Sequence, residues 1–212
     1  MLNIAALVSG GGTNLERILA RCASGYIPGR VVRVISSRDG AYALTRAARY
    51  GVPSRVVRRG DYPDAEAFET ALADDLKSFG TELVLLAGYM TVLGGTFLDA
   101  FPERIMNVHP SLIPSFCGAG LYGIRVHEAA LAKGVKVTGA TVHFAAKEPD
   151  AGPIILQKAV AVEAGDTPEI LQRRVMEEAE WEIYPEAARL FCEGRLRVSG
   201  GRAEIIGKGG IG

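Results

Sequence analysis

Asn107 and His109 stand two residues apart in the segment Arg104–His109 (RIMNVH), directly before Pro110. One side chain is an amide that can donate a hydrogen bond. The other is the side chain best suited to take up or release a proton near neutral pH. In an extended segment, residues two apart face the same side. A residue that precedes proline is pushed toward extended backbone, so Pro110 helps to hold His109 at the end of its strand. The chain has three histidines, His109, His127 and His143. A histidine beside an apolar run also serves as plain packing, and the residues alone leave that role open for His109. Asp150 is the acidic residue of Glu148-Pro149-Asp150-Ala151-Gly152-Pro153. Aspartate among proline and glycine is commonly a turn residue, and spacing alone does not bring it to His109.

A second constellation is the turn Ser9-Gly10-Gly11-Gly12-Thr13-Asn14. Glycines let the backbone bend sharply and bring bare N–H groups close to an anion, and a helix that begins there adds about half a positive charge. Thr13 or Asn14 can cap that helix and touch a phosphate oxygen. The plain alternative is a structural turn with no ligand. A dinucleotide fingerprint fits poorly, because Leu15 stands where a third small residue belongs, and the lysine of a Walker loop is missing. A single phosphate suits the turn better than a pyrophosphate.

The elements that must carry these groups follow from hydrophobic pattern. Ile4–Val8 reads as a strand buried on both faces, and the segment from Asn14 to Ser24 as a helix with Leu15, Ile18, Leu19 and Cys22 on one side. Val31–Ser36, Ser54–Val57, Leu83–Ala87 and Arg104–His109 read as further strands. Ala41–Tyr50, Asp64–Phe79 with Asp64 as N-cap, and Thr96–Phe101 read as helices between them. This alternation predicts a mostly parallel, Rossmann-like α/β sheet flanked by helices, whose ligands bind beyond the carboxyl ends of the strands. After Val135 the pattern changes. Val137–Phe144 and Ile154–Val162 alternate as antiparallel strands do, Thr167–Glu193 reads as one long helix capped by Asp166 or Thr167, and Arg195–Val198 with Ala203–Ile206 reads as a hairpin. Residues 1–206 are expected to form one domain, followed by a flexible glycine-rich tail, 207–212.

Bulk composition narrows the partners. With 24 basic and 24 acidic residues the chain carries no formal net charge, so no basic excess points to nucleic acid or an anionic membrane. Cys22, Cys117 and Cys192 are odd in number and widely spaced, which suggests free thiols in a reducing compartment rather than a zinc or dithiol site. The start, MLNIAALVSGGG, lacks a basic leader, and its apolar run is too short for a signal peptide or a span. A cytoplasmic location is the expectation.

Taken together, Val8-Ser9-Gly10-Gly11-Gly12-Thr13-Asn14-Leu15, Leu86-Ala87-Gly88-Tyr89-Met90, Asn107-Val108-His109-Pro110-Ser111-Leu112-Ile113-Pro114, and Thr141-Val142-His143-Phe144 with Asp150-Ala151-Gly152-Pro153-Ile154-Ile155-Leu156-Gln157 resemble the phosphoribosylglycinamide formyltransferase family. The order and spacing of these segments match across residues 2 to 198. The resemblance implies a formyltransferase fold. It also implies formyl transfer from 10-formyltetrahydrofolate to the amine of 5'-phosphoribosylglycinamide in purine biosynthesis. It places a catalytic trio on Asn107, His109 and Asp150, a substrate phosphate loop on Gly12, Thr13 and Asn14, and a contact to the substrate's amine end on Glu180. The folate segment falls on Met90, Thr91, Val92 and Leu93, with Asn107 shared. It implies small-molecule substrates alone, no metal, and a monomer or homodimer. Ala65 and Thr91 stand where arginines are frequent in the family, which leaves Arg58 or Arg59 as candidates for the folate tail. The loop from Cys117 to Val126 is longer than in well-known members.

In this chemistry the amine is itself the nucleophile, so no serine or cysteine nucleophile is needed. Asn107 and a protonated His109 would steady the tetrahedral oxyanion, and an ionised Asp150 would favour the imidazolium. The remaining groups have plain roles: His143 as a structural hydrogen-bonder, with lining the site as its second reading, His127 as a helix-start residue, and Trp181 as packing. Ile113-Pro114 is a candidate cis bond. A methionyl-tRNA formyltransferase would need an added RNA-binding domain and a deformylase a regulatory one, and the chain has room for neither. A nicotinamide oxidoreductase and a non-enzymatic phosphosugar-binding module are the remaining alternatives.

Overall fold

A strand as apolar as Ile4–Val8 must be covered on both faces, and each of its residues is at most 1% exposed. In the computed structural model, which describes residues 1–207, this run forms most of β1 (Leu2–Val8). The chain divides into two compact units, Met1–Asn107 and the residues from Val108 onward. The expected tail beyond residue 207 lies outside the described residues.

In the first unit β1 is followed by α1 (Thr13–Ala23), β2 (Gly29–Ser36), α2 (Tyr42–Arg49), β3 (Ser54–Val56), a short 3-10 turn (Arg59–Asp61), α3 (Ala65–Ser78), β4 (Leu83–Leu86), α4 (Gly95–Ala100) and β5 (Ile105–His109). The strands run in the order β3-β2-β1-β4-β5, and every neighbouring pair is parallel. That is the expected Rossmann-like arrangement. Leu7 of β1 lies opposite Leu86 of β4, so the turn after β1 and the segment after β4 leave the same carboxyl edge, where ligands of open α/β sheets bind.

Local signals explain the helices. Asp64 caps α3 as expected, its Oδ1 accepting the Ala67 N–H at 2.8 Å. Phe68, Leu72 and Leu76 give α3 a buried face of helical period. Entry to α1 differs from expectation. Neither Thr13 nor Asn14 caps it; the N-cap is Gly12, in the left-handed region at φ 74°, with no side-chain cap. A Cβ at position 12 would stand 2.5 Å from that of Ala43 in α2. The turn therefore needs glycine there both for its backbone angle and for the close approach of α2.

The second unit receives the last two residues of β5 and continues with α5 (Ile124–Lys133), β6 (Val137–Phe144), β7 (Ile154–Ala161), α6 (Pro168–Val175), α7 (Trp181–Cys192), β8 (Leu196–Ser199) and β9 (Arg202–Ile205). β6 and β7 pair antiparallel, as do β8 and β9, which agrees with the expected change of pattern. The single long helix does not. A wide π turn, Met176–Glu180, separates α6 from α7, and Pro185 lies inside α7. Proline has no N–H to give and crowds the carbonyl four residues back, here Trp181; wide turns are among the usual ways a helix absorbs such a break. Thr167 is the cap of α6, its Oγ1 accepting the Ile170 N–H. Asp166 is instead held by Arg174, with Arg174 Nη2 2.7 Å from Asp166 Oδ1.

Candidate active site

Pro110, the cis bond Ile113-Pro114 and a three-way hydroxyl fix the chain that follows His109. Thr141 Oγ1, fully buried on β6, donates to the Ser111 carbonyl (2.7 Å) and accepts from the Ile113 N–H (3.1 Å) and from Gln157 Nε2 (2.9 Å). Gln157 Nε2 also reaches the Ile113 carbonyl at 3.0 Å. The turn after the histidine is thus stitched to both strands of the β6–β7 pair.

His109 is only 4% exposed. Its Nδ1 faces Asp150 Oδ2 at 3.6 Å, and its Nε2 donates to the Phe116 carbonyl at 2.9 Å. Both ring nitrogens therefore face acceptor oxygens. Asp150 adopts φ 59°, a left-handed conformation that aspartate tolerates better than most residues. Its Oδ2 accepts the Gly118 N–H at 2.9 Å, and its Oδ1 faces His143 Nε2 at 3.6 Å. His143 Nδ1 donates to the Phe144 carbonyl at 2.8 Å, which turns Nε2 toward the carboxylate. Burial works against a charge on Asp150, but His143, the Gly118 N–H and His109 outweigh it and hold the carboxyl below its usual range.

His127, read from sequence as a helix-start residue, is the fourth residue of α5 and is fully buried. Neither of its ring nitrogens has a hydrogen-bond partner among the described residues. Burial, and then repulsion from His109, push its pKa down to about 4, so it packs as a neutral ring. The Cys117 thiol donates to the Pro114 carbonyl at 3.3 Å and is pushed up by burial and by Asp150. The loop read as Cys117 to Val126 ends earlier, because α5 begins at Ile124.

The remaining expected site residues take these places. Asn107 precedes His109 by two residues on the same strand, β5. Gly12, Thr13 and Asn14 form the entry of α1. Met90 to Leu93 lie between β4 and α4; Met90 is 46% and Val92 76% exposed, whereas Leu93 is buried. Two buried side chains hold this segment. Ser9 Oγ accepts the Met90 N–H at 2.8 Å, and Glu69 accepts the Gly94 and Phe97 N–H groups at 2.7 and 3.0 Å. Glu180 ends the π turn, 9% exposed, four residues before the buried Tyr184. Burial and then the Glu180 charge raise the Tyr184 hydroxyl well above its ordinary pKa. Arg58, a candidate for the folate tail, is paired with Asp39 and Asp61.

Sequence reasoning brought His109 and Asp150 together only through resemblance, and it undervalued His143. A signal existed: an imidazole two residues after the polar Thr141 on the same strand. Glu69 carried none, since a glutamate inside a helix looks like any other. No group of three or more His, Cys, Asp or Glu able to hold a metal ion occurs among the described residues. Nor, among them, is any helix long and apolar enough to cross a membrane.

A β-sheet edge of this kind, with an imidazole and a carboxylate at the strand end, invites comparison with known proteins. Residues 2–188 match the family described as formyl transferase. Phosphoribosylglycinamide formyltransferase of Haemophilus influenzae is 38% identical over 98% of this chain and 95% of its own. The trifunctional purine biosynthetic protein adenosine-3 of Gallus gallus is 42% identical over 93% of this chain, which spans only 19% of that longer protein. The crystal structure of glycinamide ribonucleotide transformylase 1 from Symbiobacterium toebii superimposes with a TM-score of 0.92 at 51% identity, over 98% of this chain and 95% of that one. The chain belongs to the formyl transferase family. Formyl transfer is the chemistry of that family, and the resemblance to its phosphoribosylglycinamide members is borne out by these relatives.

Proposed function

We propose that this protein transfers the formyl group of 10-formyltetrahydrofolate to the amine of 5'-phosphoribosylglycinamide, giving N-formylglycinamide ribonucleotide and tetrahydrofolate in purine biosynthesis. The observation that carries the reading is the His109–Asp150 pair, 3.6 Å apart, with the buried His109 at the end of β5. Relatives that bear the enzyme's name over nearly their whole length support the substrates.

The substrate amine attacks the formyl carbon, and the carbonyl oxygen gathers negative charge. Asn107 donates its amide N–H to that oxygen. His109, kept charged by Asp150, donates a proton or a hydrogen bond to it; with Nδ1 turned to the carboxylate, Nε2 is the nitrogen that meets the substrate, in exchange for the Phe116 carbonyl. Donors aimed at a developing oxyanion contribute roughly 3 kcal/mol each. As the bond between the formyl carbon and the folate nitrogen breaks, His109 and water relay the proton released by the amine to that leaving nitrogen. The reading requires no metal, because the neutral amine is itself the nucleophile and the oxyanion is met by Asn107 and His109.

The glycine turn at Gly12, Thr13 and Asn14 takes the ribonucleotide phosphate on its N–H groups, and Glu180 holds the amine end. Met90, Thr91, Val92 and Leu93, with Asn107, hold the folate, and the exposed Met90 and Val92 offer it apolar surface. Residues 1–206 act as one catalytic domain. The enzyme works in the cytoplasm on small molecules, as a monomer or homodimer.

An absorbance assay with phosphoribosylglycinamide and a 10-formyl folate analogue tests substrate, co-substrate and chemistry together. Formyl transfer that is lost in His109→Ala supports the proposal. Binding of the ribonucleotide with no formyl transfer would leave a phosphosugar-binding module instead.

A further inference from the structure

Each carbonyl of the glycine turn is held by a donor. Arg38 Nε donates to the Ser9 carbonyl. The Ala43 N–H, in the first turn of α2, donates to the Gly10 carbonyl at 3.1 Å. Arg46 Nε, also on α2, donates to the Gly11 carbonyl at 2.9 Å. The Glu16 N–H donates to the Gly12 carbonyl at 2.9 Å, the first bond of α1.

A trans peptide unit is planar, and its C=O and N–H point in opposite directions. Anchoring the Gly11 carbonyl on Arg46 therefore fixes where the Gly12 N–H points. Anchoring the Ser9 carbonyl on Arg38 does the same for the Gly10 N–H. Glycines left to themselves would sample many orientations, since they lack the Cβ that restricts other residues. A cradle built of backbone N–H groups works only if those groups are already turned toward the anion, because ordering them at the moment of binding would cost affinity.

Arg46 is placed for this work rather than for direct contact with a ligand. One end of its guanidinium is committed to Gly11 and another to Glu16 of α1, and it lies over the Tyr42 ring at 5.0 Å. Its side chain is 17% exposed. The partnership with Glu16 offsets its charge, so its contribution is to geometry more than to potential.

We infer that Arg46, with Arg38, is a positioning residue for the phosphate cradle: Arg46 on α2 locks the Gly11–Gly12 peptide and Arg38, ahead of α2, the Ser9–Gly10 peptide, so that their N–H groups face the substrate phosphate. The inference rests on the reading of the glycine turn as the phosphate site.

The test compares Arg46→Met and Arg46→Lys with the parent enzyme, reading KM for each substrate, kcat, and competitive inhibition by inorganic phosphate against phosphoribosylglycinamide. Loss of a charge-assisted hydrogen bond predicts a rise of about tenfold or more in KM for phosphoribosylglycinamide in Arg46→Met. Phosphate inhibition weakens by the same factor, Arg46→Lys recovers part of both, and KM for the folate and kcat stay within about twofold. If Arg46→Met does not fold, Arg38→Met carries the same expectation. Unchanged KM and unchanged phosphate inhibition in a folded Arg46→Met would overturn the inference, as would an equal rise in both KM values. Failure of inorganic phosphate to compete in the parent enzyme would instead overturn the phosphate reading on which it rests.

Discussion

One carboxylate, that of Asp150, faces two imidazoles at equal distance: His109 Nδ1 and His143 Nε2 each lie 3.6 Å from one of its oxygens. At that separation the contacts are electrostatic rather than direct hydrogen bonds, so the charge of Asp150 matters more than its shape. Asp150→Asn keeps the size and tolerates the left-handed backbone, but removes the charge. Turnover is expected to fall about 10²- to 10⁴-fold, the range of a lost acid–base contribution, with the far-ultraviolet circular dichroism unchanged.

The same pair gives an acid limb to stability. The folded-state pKa of Asp150 is depressed by His143, Gly118 and His109 against the opposing effect of burial. Its ionised form thus favours the folded chain; that contribution is complete above the unfolded value of about 4 and is lost as pH falls through the folded one. Urea titrations should show parent and Asp150→Asn converging as pH drops below about 4.

His127 has the opposite origin and a different window. Its folded pKa of about 4 lies below its ordinary 6.5. Above pH 6.5 both states are neutral and nothing is at stake. Between that pH and about 4 the unfolded chain takes up a proton that the folded chain refuses, and stability falls by on the order of 3 kcal/mol. His127→Leu should flatten the stability profile between pH 7 and pH 4, read by chemical denaturation across that range. A slope equal to that of the parent would contradict the assignment.

Gly12 carries two constraints, a φ of 74° and an approach that would put a Cβ 2.5 Å from Ala43. Gly12→Ala is expected to destabilise by about 2–4 kcal/mol, combining the left-handed penalty with overpacking. For a chain of this length that lowers the melting temperature by several degrees.

Thr141 holds three partners with one buried oxygen. Thr141→Val, nearly isosteric, leaves the Ser111–Ile113 turn unstitched and is expected to cost about 2–4 kcal/mol. Turnover should fall with it, because the turn begins two residues after His109. Thr141→Ser should restore most of both, as measured by thermal melts and initial rates.

These relationships differ in how far the residues announced them. β1 and α3 were legible because each rests on one local rule: an unbroken apolar run, and an aspartate before a helical period. The cis Ile113-Pro114 bond was legible from two prolines bracketing a tight turn. The break between α6 and α7 was not, since Pro185 on an otherwise periodic stretch marks strain without saying which wider turn relieves it. The N-cap of α1 was misread because polar Thr13 and Asn14 look like caps until Ala43 is seen pressing on Gly12. Of the site, the apolar pattern placed Asn107 and His109 on one strand, as β5 does, but Asp150 lies forty-one residues beyond His109 and reaches it through the β6–β7 pair. Arg38 and Arg46 left no mark, because an arginine that serves a backbone carbonyl has no distinctive spacing.

The most direct measurement is the rate of formyl transfer from a 10-formyl folate to phosphoribosylglycinamide in His109→Ala, beside the parent enzyme and with the melting temperature recorded for both. A fall of at least about a hundredfold, with folding retained, is the expected result. Near-parental turnover in a folded His109→Ala would mean that the imidazole at the end of β5 does not serve the reaction.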